Sequence, residues 1–213
     1  MTREVNIPIG DARINGDLTL PDGASGIVLF AHGSGSSRKS PRNRWVAQQL
    51  NNAGLATLLM DLLTEREEQI DMRTAELRFD IPLLAGRVVG SAEWLASMDE
   101  TKELPAGYFG SSTGAAAALI AAARGPEEVK AVVSRGGRPD LASDYLPDVE
   151  APTLLIVGGR DTPVIDMNKS AMARMETDVK LDIVEGATHL FEEEGKLEEV
   201  AGLAADWFKK HLN

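Results

Sequence analysis

The chain has 213 residues, of which 43% are hydrophobic and 26% are charged, and it carries a net charge of −11 with no cysteine. This length and composition predict one globular domain spanning residues 1–213. The negative charge argues against nucleic-acid and anionic-membrane partners, because both need a basic protein face. The absence of cysteine excludes disulfides, a thiolate nucleophile and a thiolate metal site.

Targeting and membrane-spanning patterns are also absent from the sequence. Residues 1–6 lack an apolar signal core. No apolar run approaches the roughly 20 residues that span a bilayer. We therefore expect a cytoplasmic protein with no membrane partner. Acidic side chains crowd positions 192–194 and 198–199, and the simplest interpretation of this cluster is a solvated helix face.

Predicted strands alternate with predicted helices along the chain. An antiparallel hairpin is predicted from residues 5–9 and 12–20. Buried strands are predicted from short apolar runs at 26–31, 55–60, 107–110, 129–134, 152–157 and 179–184. Helices are predicted at 44–53, 74–98, 113–124, 164–175 and 197–211, with Pro82 either kinking or dividing the second of them.

This order of elements predicts an α/β fold of three αβα layers. Its sheet would be doubly wound and mostly parallel, with the hairpin at its antiparallel edge. The connection between residues 134 and 152 is too short for a large lid. We therefore expect an open site with no lid insertion.

A serine between two glycines is the most informative feature of the chain. Ser112 lies in the pattern G-x-S-x-G, formed with Gly110 and Gly114, between a predicted strand and a predicted helix. A sharp strand-to-helix turn needs small neighbours, and it exposes the hydroxyl of the residue at the turn. We interpret Ser112 as a nucleophile. The alternative is a helix N-cap, a role that serine fills well.

Two further strand ends carry the partners that a nucleophilic serine needs. Asp161 follows the strand ending near residue 157, and His189 follows the strand ending near residue 184. Because the carboxyl ends of parallel strands share one edge of the sheet, we expect both to lie near Ser112. His189 would take the serine proton, and Asp161 would orient the imidazole. His32 and Asp166 are the rival base and acid, and Asp161 could instead be a turn residue.

A glycine-rich loop, His32-Gly33-Ser34-Gly35-Ser36-Ser37, follows the first buried strand. It lacks the Gly-Lys-Ser/Thr that completes a nucleotide-binding loop. We expect the ring of His32 to hydrogen-bond a nearby backbone group rather than act as the base. An acyl-transfer intermediate needs N–H donors for its oxyanion, and Thr113 N–H, just after the nucleophile, is one candidate.

Four stretches together carry a family resemblance. They are 32–37, 110–114, Gly158-Gly159-Arg160-Asp161 and Gly186-Ala187-Thr188-His189-Leu190-Phe191. In this order the chain resembles the α/β-hydrolase superfamily over essentially its whole length. Within it, the chain is similar to the small, lid-less dienelactone-hydrolase-like and serine esterase group. The resemblance implies Ser34 N–H as the second oxyanion donor. Dienelactone hydrolases proper use a cysteine nucleophile, so its absence here favours ester chemistry.

Positive side chains border the predicted mouth of the site. Arg135 and Arg138 follow a strand, and further cations follow the glycine-rich loop: Arg38, Lys39, Arg42 and Arg44. One hypothesis is that Arg135 and Arg138 bind a carboxylate or phosphate on the acyl group. The other is that these arginines pair with surface carboxylates.

The patterns together predict a serine hydrolase that cleaves small-molecule carboxylic esters or thioesters through a Ser112 acyl-enzyme. No cofactor is implied, and no His/Asp/Glu cluster has metal-ligand spacing. Two alternatives stay open. The same triad could transfer the acyl group to another acceptor or to hydrogen peroxide, or the fold could be a non-catalytic binding module. The protein is expected to be a monomer or a homodimer.

Overall fold

A computed structural model describes residues 2–125 and 129–212. Its eight strands, β1–β8, are Thr2–Ile9, Ala12–Thr19, Ile27–Ala31, Ala56–Met60, Ala106–Ser111, Ala131–Arg135, Thr153–Gly158 and Val179–Val184. They form one sheet in the order β1-β2-β4-β3-β5-β6-β7-β8. The β1–β2 and β2–β4 pairs are antiparallel and the other neighbours are parallel. The predicted sheet with its N-terminal hairpin is confirmed.

Helices cover both faces of this sheet. They are α1 Pro41–Asn52, α2 Glu65–Thr74, α3 Ile81–Ser97, α4 Thr113–Arg124, α5 Thr162–Met172 and α6 Lys196–His211. α1 and α6 pack together on one face, and α3 and α4 pack together on the other. Every residue of β3, β4 and β7 is buried. This burial on both faces is why these strands read as unbroken apolar runs.

The region between β4 and β5 differs from the sequence prediction. The predicted helix over 74–98 begins instead at Ile81, where Asp80 accepts a hydrogen bond from the Leu83 N–H. Pro82 lies in the first turn, where its missing N–H costs nothing. The preceding helix α2 was not predicted, although Thr64 and Glu67 form a capping box at its start.

Two short 3-10 segments complete the described chain. Leu77–Phe79 links α2 to α3, and Pro139–Asp148 lies in the connection from β6 to β7. The second segment packs against α4 and α5. In the described residues, none of the helices is both long enough and apolar enough to cross a bilayer.

Candidate active site

The turn from β5 into α4 holds Ser112 in a strained conformation. Its φ of 50° and ψ of −120° lie where non-glycine residues are rare. The flanking glycines allow the close approach that this turn requires. A Cβ at Gly110 would lie 2.3 Å from Ala115 Cα, and one at Gly114 would lie 2.3 Å from the carbonyl oxygen of Ala31. The G-x-S-x-G pattern therefore reflects backbone packing between strand, helix and glycine-rich loop.

The Ser112 hydroxyl does not cap the helix that follows it. Ser112 occupies the N-cap position of α4, but its side chain makes no capping hydrogen bond. Its backbone is fixed instead: Ser112 N–H donates to the Arg135 carbonyl at 3.2 Å, and Arg138 N–H donates to the Ser112 carbonyl at 3.1 Å. This geometry does not support the N-cap alternative. It leaves the hydroxyl unused by the helix.

His189 and Asp161 lie in direct contact at the carboxyl edge of the sheet. His189 Nδ1 is 2.6 Å from Asp161 Oδ2, and the two side chains are 38% and 16% exposed. With the proton on Nδ1, this bond leaves Nε2 as the basic nitrogen. Asp161 makes no capping bond to α5, and the rival acid Asp166 lies exposed on that helix.

The imidazole lies beside the strand that holds Ser112 in place. A Cβ on Gly136 would lie 3.3 Å from His189 Cε1, and Gly136 directly follows Arg135, which accepts the Ser112 N–H. Across residues 2–125 and 129–212, no hydrogen bond joins Ser112 Oγ to His189. Catalytic hydrogen bonds are often long or misaligned without substrate and tighten when it binds.

The loop that carries His189 is fixed by an acidic residue that sequence analysis assigned to a solvated helix face. Both carboxylate oxygens of Glu193 accept the Thr188 N–H at 3.1 Å. Hydrogen bonds from its own backbone and from Thr188 lower the pKa of Glu193. The helix interpretation was wrong for residues 192–194, because α6 begins at Lys196. Nothing in the local sequence distinguishes Glu193 from its acidic neighbours.

The glycine-rich loop is anchored by the ring of His32. Nδ1 lies 2.9 Å from the Gly33 carbonyl oxygen, and Nε2 accepts the Leu62 N–H at 3.2 Å. Burial is the main cause that lowers the pKa of His32, so the ring is neutral at pH 7. Both ring nitrogens contact backbone groups, as expected of a histidine that anchors the loop. His32 is therefore not placed to act as a base.

The two expected oxyanion donors differ in availability. Thr113 N–H is the first amide of α4 and therefore has no acceptor within the helix. Ser34 N–H donates to Thr113 Oγ1 at 2.8 Å. In this conformation the Ser34 donor is occupied.

Most of the predicted positive rim is paired with carboxylates. Arg138 donates to both oxygens of Asp140 at 2.9 and 2.7 Å, so its guanidinium is already paired in this conformation. Three more arginines of the rim form ion pairs: Arg38 with Asp17 and Asp61, Arg44 with Asp17, and Arg42 with Glu192. Arg135 differs from all of these, because it is 7% exposed and has no ion pair in the described chain.

A cleft of about 300 Å³ lies beside the glycine-rich loop. Its walls include His32, Ser36 and Ser37 from the loop and Leu63 and Glu68 from the segment after β4. This volume is at the lower end of the range for small-molecule sites. In the part of the chain that the structure describes, no group of three or more His, Asp or Glu side chains converges to hold a metal ion.

Comparisons with known proteins agree with this architecture. The model of the dienelactone hydrolase family matches residues 14–213. The crystal structure of a dienelactone hydrolase from Anabaena variabilis is 59% identical, covers 100% of this chain and 99% of that chain, and has a TM-score of 0.98. Est1E from Butyrivibrio proteoclasticus is 15% identical and shares the fold with a TM-score of 0.81, covering 97% of this chain and 98% of its own.

A curated relative from Mycobacterium tuberculosis is longer than this chain. It is provisionally named a phosphoribosyl transferase and is 57% identical over 209 residues, which are 98% of this chain and 46% of that protein. The chain therefore spans about half the length of the curated relatives it matches. The family match, the sheet order and the near-identical solved fold lead to one conclusion: the chain belongs to the dienelactone hydrolase family of α/β hydrolases.

Proposed function

We propose that the chain is a serine hydrolase that cleaves small-molecule carboxylic esters or thioesters through an acyl-enzyme on Ser112. His189 is the general base and acid, and Asp161 orients it. The observation that carries the proposal is the 2.6 Å contact between His189 Nδ1 and Asp161 Oδ2, beside a strained serine whose hydroxyl caps no helix.

The proton path follows from the tautomer that this contact favours. Asp161 accepts the Nδ1 proton of His189, which directs the Nε2 lone pair outward as the base. Ser112 Oγ attacks the ester carbonyl carbon as its proton passes to Nε2. The negative oxygen of the tetrahedral intermediate accepts Thr113 N–H, and it accepts Ser34 N–H once the Thr113 hydroxyl has released that donor.

The intermediate then collapses, and its bond to the leaving oxygen or sulfur breaks. The His189 imidazolium returns its proton to that atom, so an alcohol or thiol leaves and the acyl group stays on Ser112. Water next attacks the acyl carbon and gives a proton to Nε2. The same imidazolium protonates Ser112 Oγ as the carboxylic acid departs.

Active-site labelling tests this assignment directly. A fluorophosphonate probe reacts with an activated serine, so wild type is expected to be labelled and to hydrolyse p-nitrophenyl acetate, whereas Ser112→Ala should lose both. Ser111→Ala is the matched control, because that neighbouring hydroxyl donates to Asn43 Oδ1 in the core. Labelling that persists in Ser112→Ala, or folded wild type that is neither labelled nor active, would refute the proposal.

The acid member is tested by Asp161→Asn, which keeps the shape of the side chain but favours the wrong imidazole tautomer. In serine hydrolases this change lowers kcat by about 10⁴-fold.

The screen of ester substrates should include acyl esters of phosphorylated sugars, because the longer relatives carry the provisional name phosphoribosyl transferase. Product analysis with competing alcohols or hydrogen peroxide would reveal transfer to acceptors other than water.

A further inference from the structure

Arg135 is a buried cation without an anionic partner. It ends β6, is 7% exposed, and its Nη1 has no hydrogen-bond partner in the described chain. Burial, followed by the nearby charge of Arg42, lowers the pKa of Arg135 to about 10, which leaves it protonated at neutral pH. An unpaired buried charge costs folding free energy, so its presence requires a compensating role.

A second guanidinium approaches Arg135 from the face of the sheet that α1 and α6 cover. Ala131 and Val133, which alternate with Arg135 along β6, pack into the cluster on that face. Arg42 lies in the first turn of α1; its Nε is buried without a partner, and its Nη1 donates to Glu192 at 2.7 Å. The N-terminal end of a helix adds further positive potential.

The backbone that carries Arg135 lies beside the reacting groups. The Arg135 carbonyl accepts the Ser112 N–H at 3.2 Å. The next residue, Gly136, is close enough that a Cβ on it would lie 3.3 Å from His189 Cε1. Arg42 reaches the same edge of the sheet, because its partner Glu192 lies three residues after His189. An anion held between the two arginines would lie next to the segments that carry Ser112 and His189.

We propose that Arg135 and Arg42 form a subsite that binds an anionic group, a carboxylate or a phosphate, on the substrate of Ser112. Guanidinium forks bind both groups through paired N–H bonds. Glu192 is 61% exposed, so it can yield its place on Arg42 to a substrate anion. The subsite rests on the proposed function for the reaction it serves, but its anion binding can be tested without catalysis.

Binding is measured as thermal unfolding of Ser112→Ala in sodium phosphate, sodium adipate or sodium chloride at equal ionic strength. We expect phosphate or adipate to raise Tm by about 2 °C or more over chloride, because a ligand of the native state shifts unfolding. Phosphate acting alone identifies a phosphoryl group, and adipate acting alone identifies a carboxylate. No rise over chloride with either anion would overturn the subsite.

Variants in the same background assign the effect to the two arginines. Arg135→Met keeps the length of the side chain and removes its charge, so it should abolish the anion-dependent rise while raising Tm in chloride. Arg42→Gln should weaken the rise independently, and it decides the question if Arg135→Met does not fold. Arg13→Gln removes an exposed arginine of the hairpin and should keep the full rise. A rise that survives in the subsite variants overturns the proposal.

Kinetic measurements on protein that retains Ser112 test whether the subsite determines which substrates are preferred. Mono-p-nitrophenyl adipate and p-nitrophenyl hexanoate have acyl chains of equal length and differ in the terminal carboxylate. Arg42→Gln and Arg135→Met should raise KM for the adipate ester by about tenfold and leave KM for the hexanoate within about twofold. Equal changes for both esters would overturn the subsite. Anion-dependent stabilisation in a protein that hydrolyses neither ester would refute the proposed function and leave the subsite standing.

Discussion

The strained backbone at Ser112 gives a stability prediction that does not depend on catalysis. With φ at 50° and ψ at −120°, Ser112 is in a region that glycine adopts without a Cβ penalty. Such strain costs roughly 1–3 kcal/mol in a non-glycine residue. Two variants that both lack the hydroxyl separate this strain from chemistry: Ser112→Ala keeps the Cβ, and Ser112→Gly removes it.

The free energies of unfolding of the two variants should differ by the strain that glycine relieves, less the cost of its greater freedom in the unfolded chain. Glycine costs roughly 0.5–1 kcal/mol relative to alanine through its freedom in the unfolded chain. Ser112→Gly should therefore exceed Ser112→Ala in the free energy of unfolding by about 1 kcal/mol. For a chain of this length, that difference corresponds to roughly 2–4 °C in Tm.

Thermal unfolding followed by circular dichroism and urea titration would measure this difference. The two variants should show the same urea m-value, because they expose the same surface on unfolding. A Tm for Ser112→Gly equal to or below that of Ser112→Ala would refute the reasoning. That result would mean that a Cβ at residue 112 does not strain the turn.

Three further predictions address the groups around this turn. Gly114→Ala should destabilise the fold by roughly 1–3 kcal/mol, because the new Cβ would meet the Ala31 carbonyl oxygen at 2.3 Å; an unchanged urea midpoint would contradict the packing argument. Thr113→Val removes the acceptor of Ser34 N–H, so the free energy of unfolding should fall by about 1 kcal/mol while kcat/KM rises; a folded variant whose kcat/KM does not rise would contradict Ser34 as an oxyanion donor. Burial lowers the folded-state pKa of His32 below the ordinary histidine value of 6.5, so the unfolded chain binds the extra proton and stability should fall below about pH 6.5, by up to about 1.4 kcal/mol per pH unit. His32→Gln should make the free energy of unfolding, measured by urea titrations, depend less steeply on pH below about pH 6.5. An identical slope in both proteins would contradict the neutral-ring interpretation.

Local sequence patterns were sufficient to predict the bounds of elements whose structure depends mainly on their own residues. The helix predicted over 113–124 and the strand predicted over 179–184 have the observed bounds Thr113–Arg124 and Val179–Val184. Both are short periodic or β-branched segments bounded by turn residues, so neighbouring residues carry the information. The α2 region is different, since its polar helix has a weak apolar pattern and its capping box at Thr64 was the available signal.

The three members of the candidate triad could be proposed from the sequence, because chain order and parallel topology bring the carboxyl ends of the strands together. The part played by Glu193 could not be predicted, because its hydrogen bond with Thr188 depends on the path of a loop that no periodic pattern describes. The same limit applies to charge. Arg135 and Arg138 look equivalent in sequence, yet Arg138 pairs with Asp140 and Arg135 is buried without a carboxylate.

The sequence by itself determined the order of the strands and of every helix except α2, the serine turn and the three strand-end residues Ser112, Asp161 and His189. These follow from hydrophobic periodicity and small-residue spacing, which act between residues close along the chain. Only the tertiary structure decided which charges are neutralised and which N–H groups remain free. A long charged side chain finds its partner among residues distant in sequence, and its burial is set by how whole layers pack.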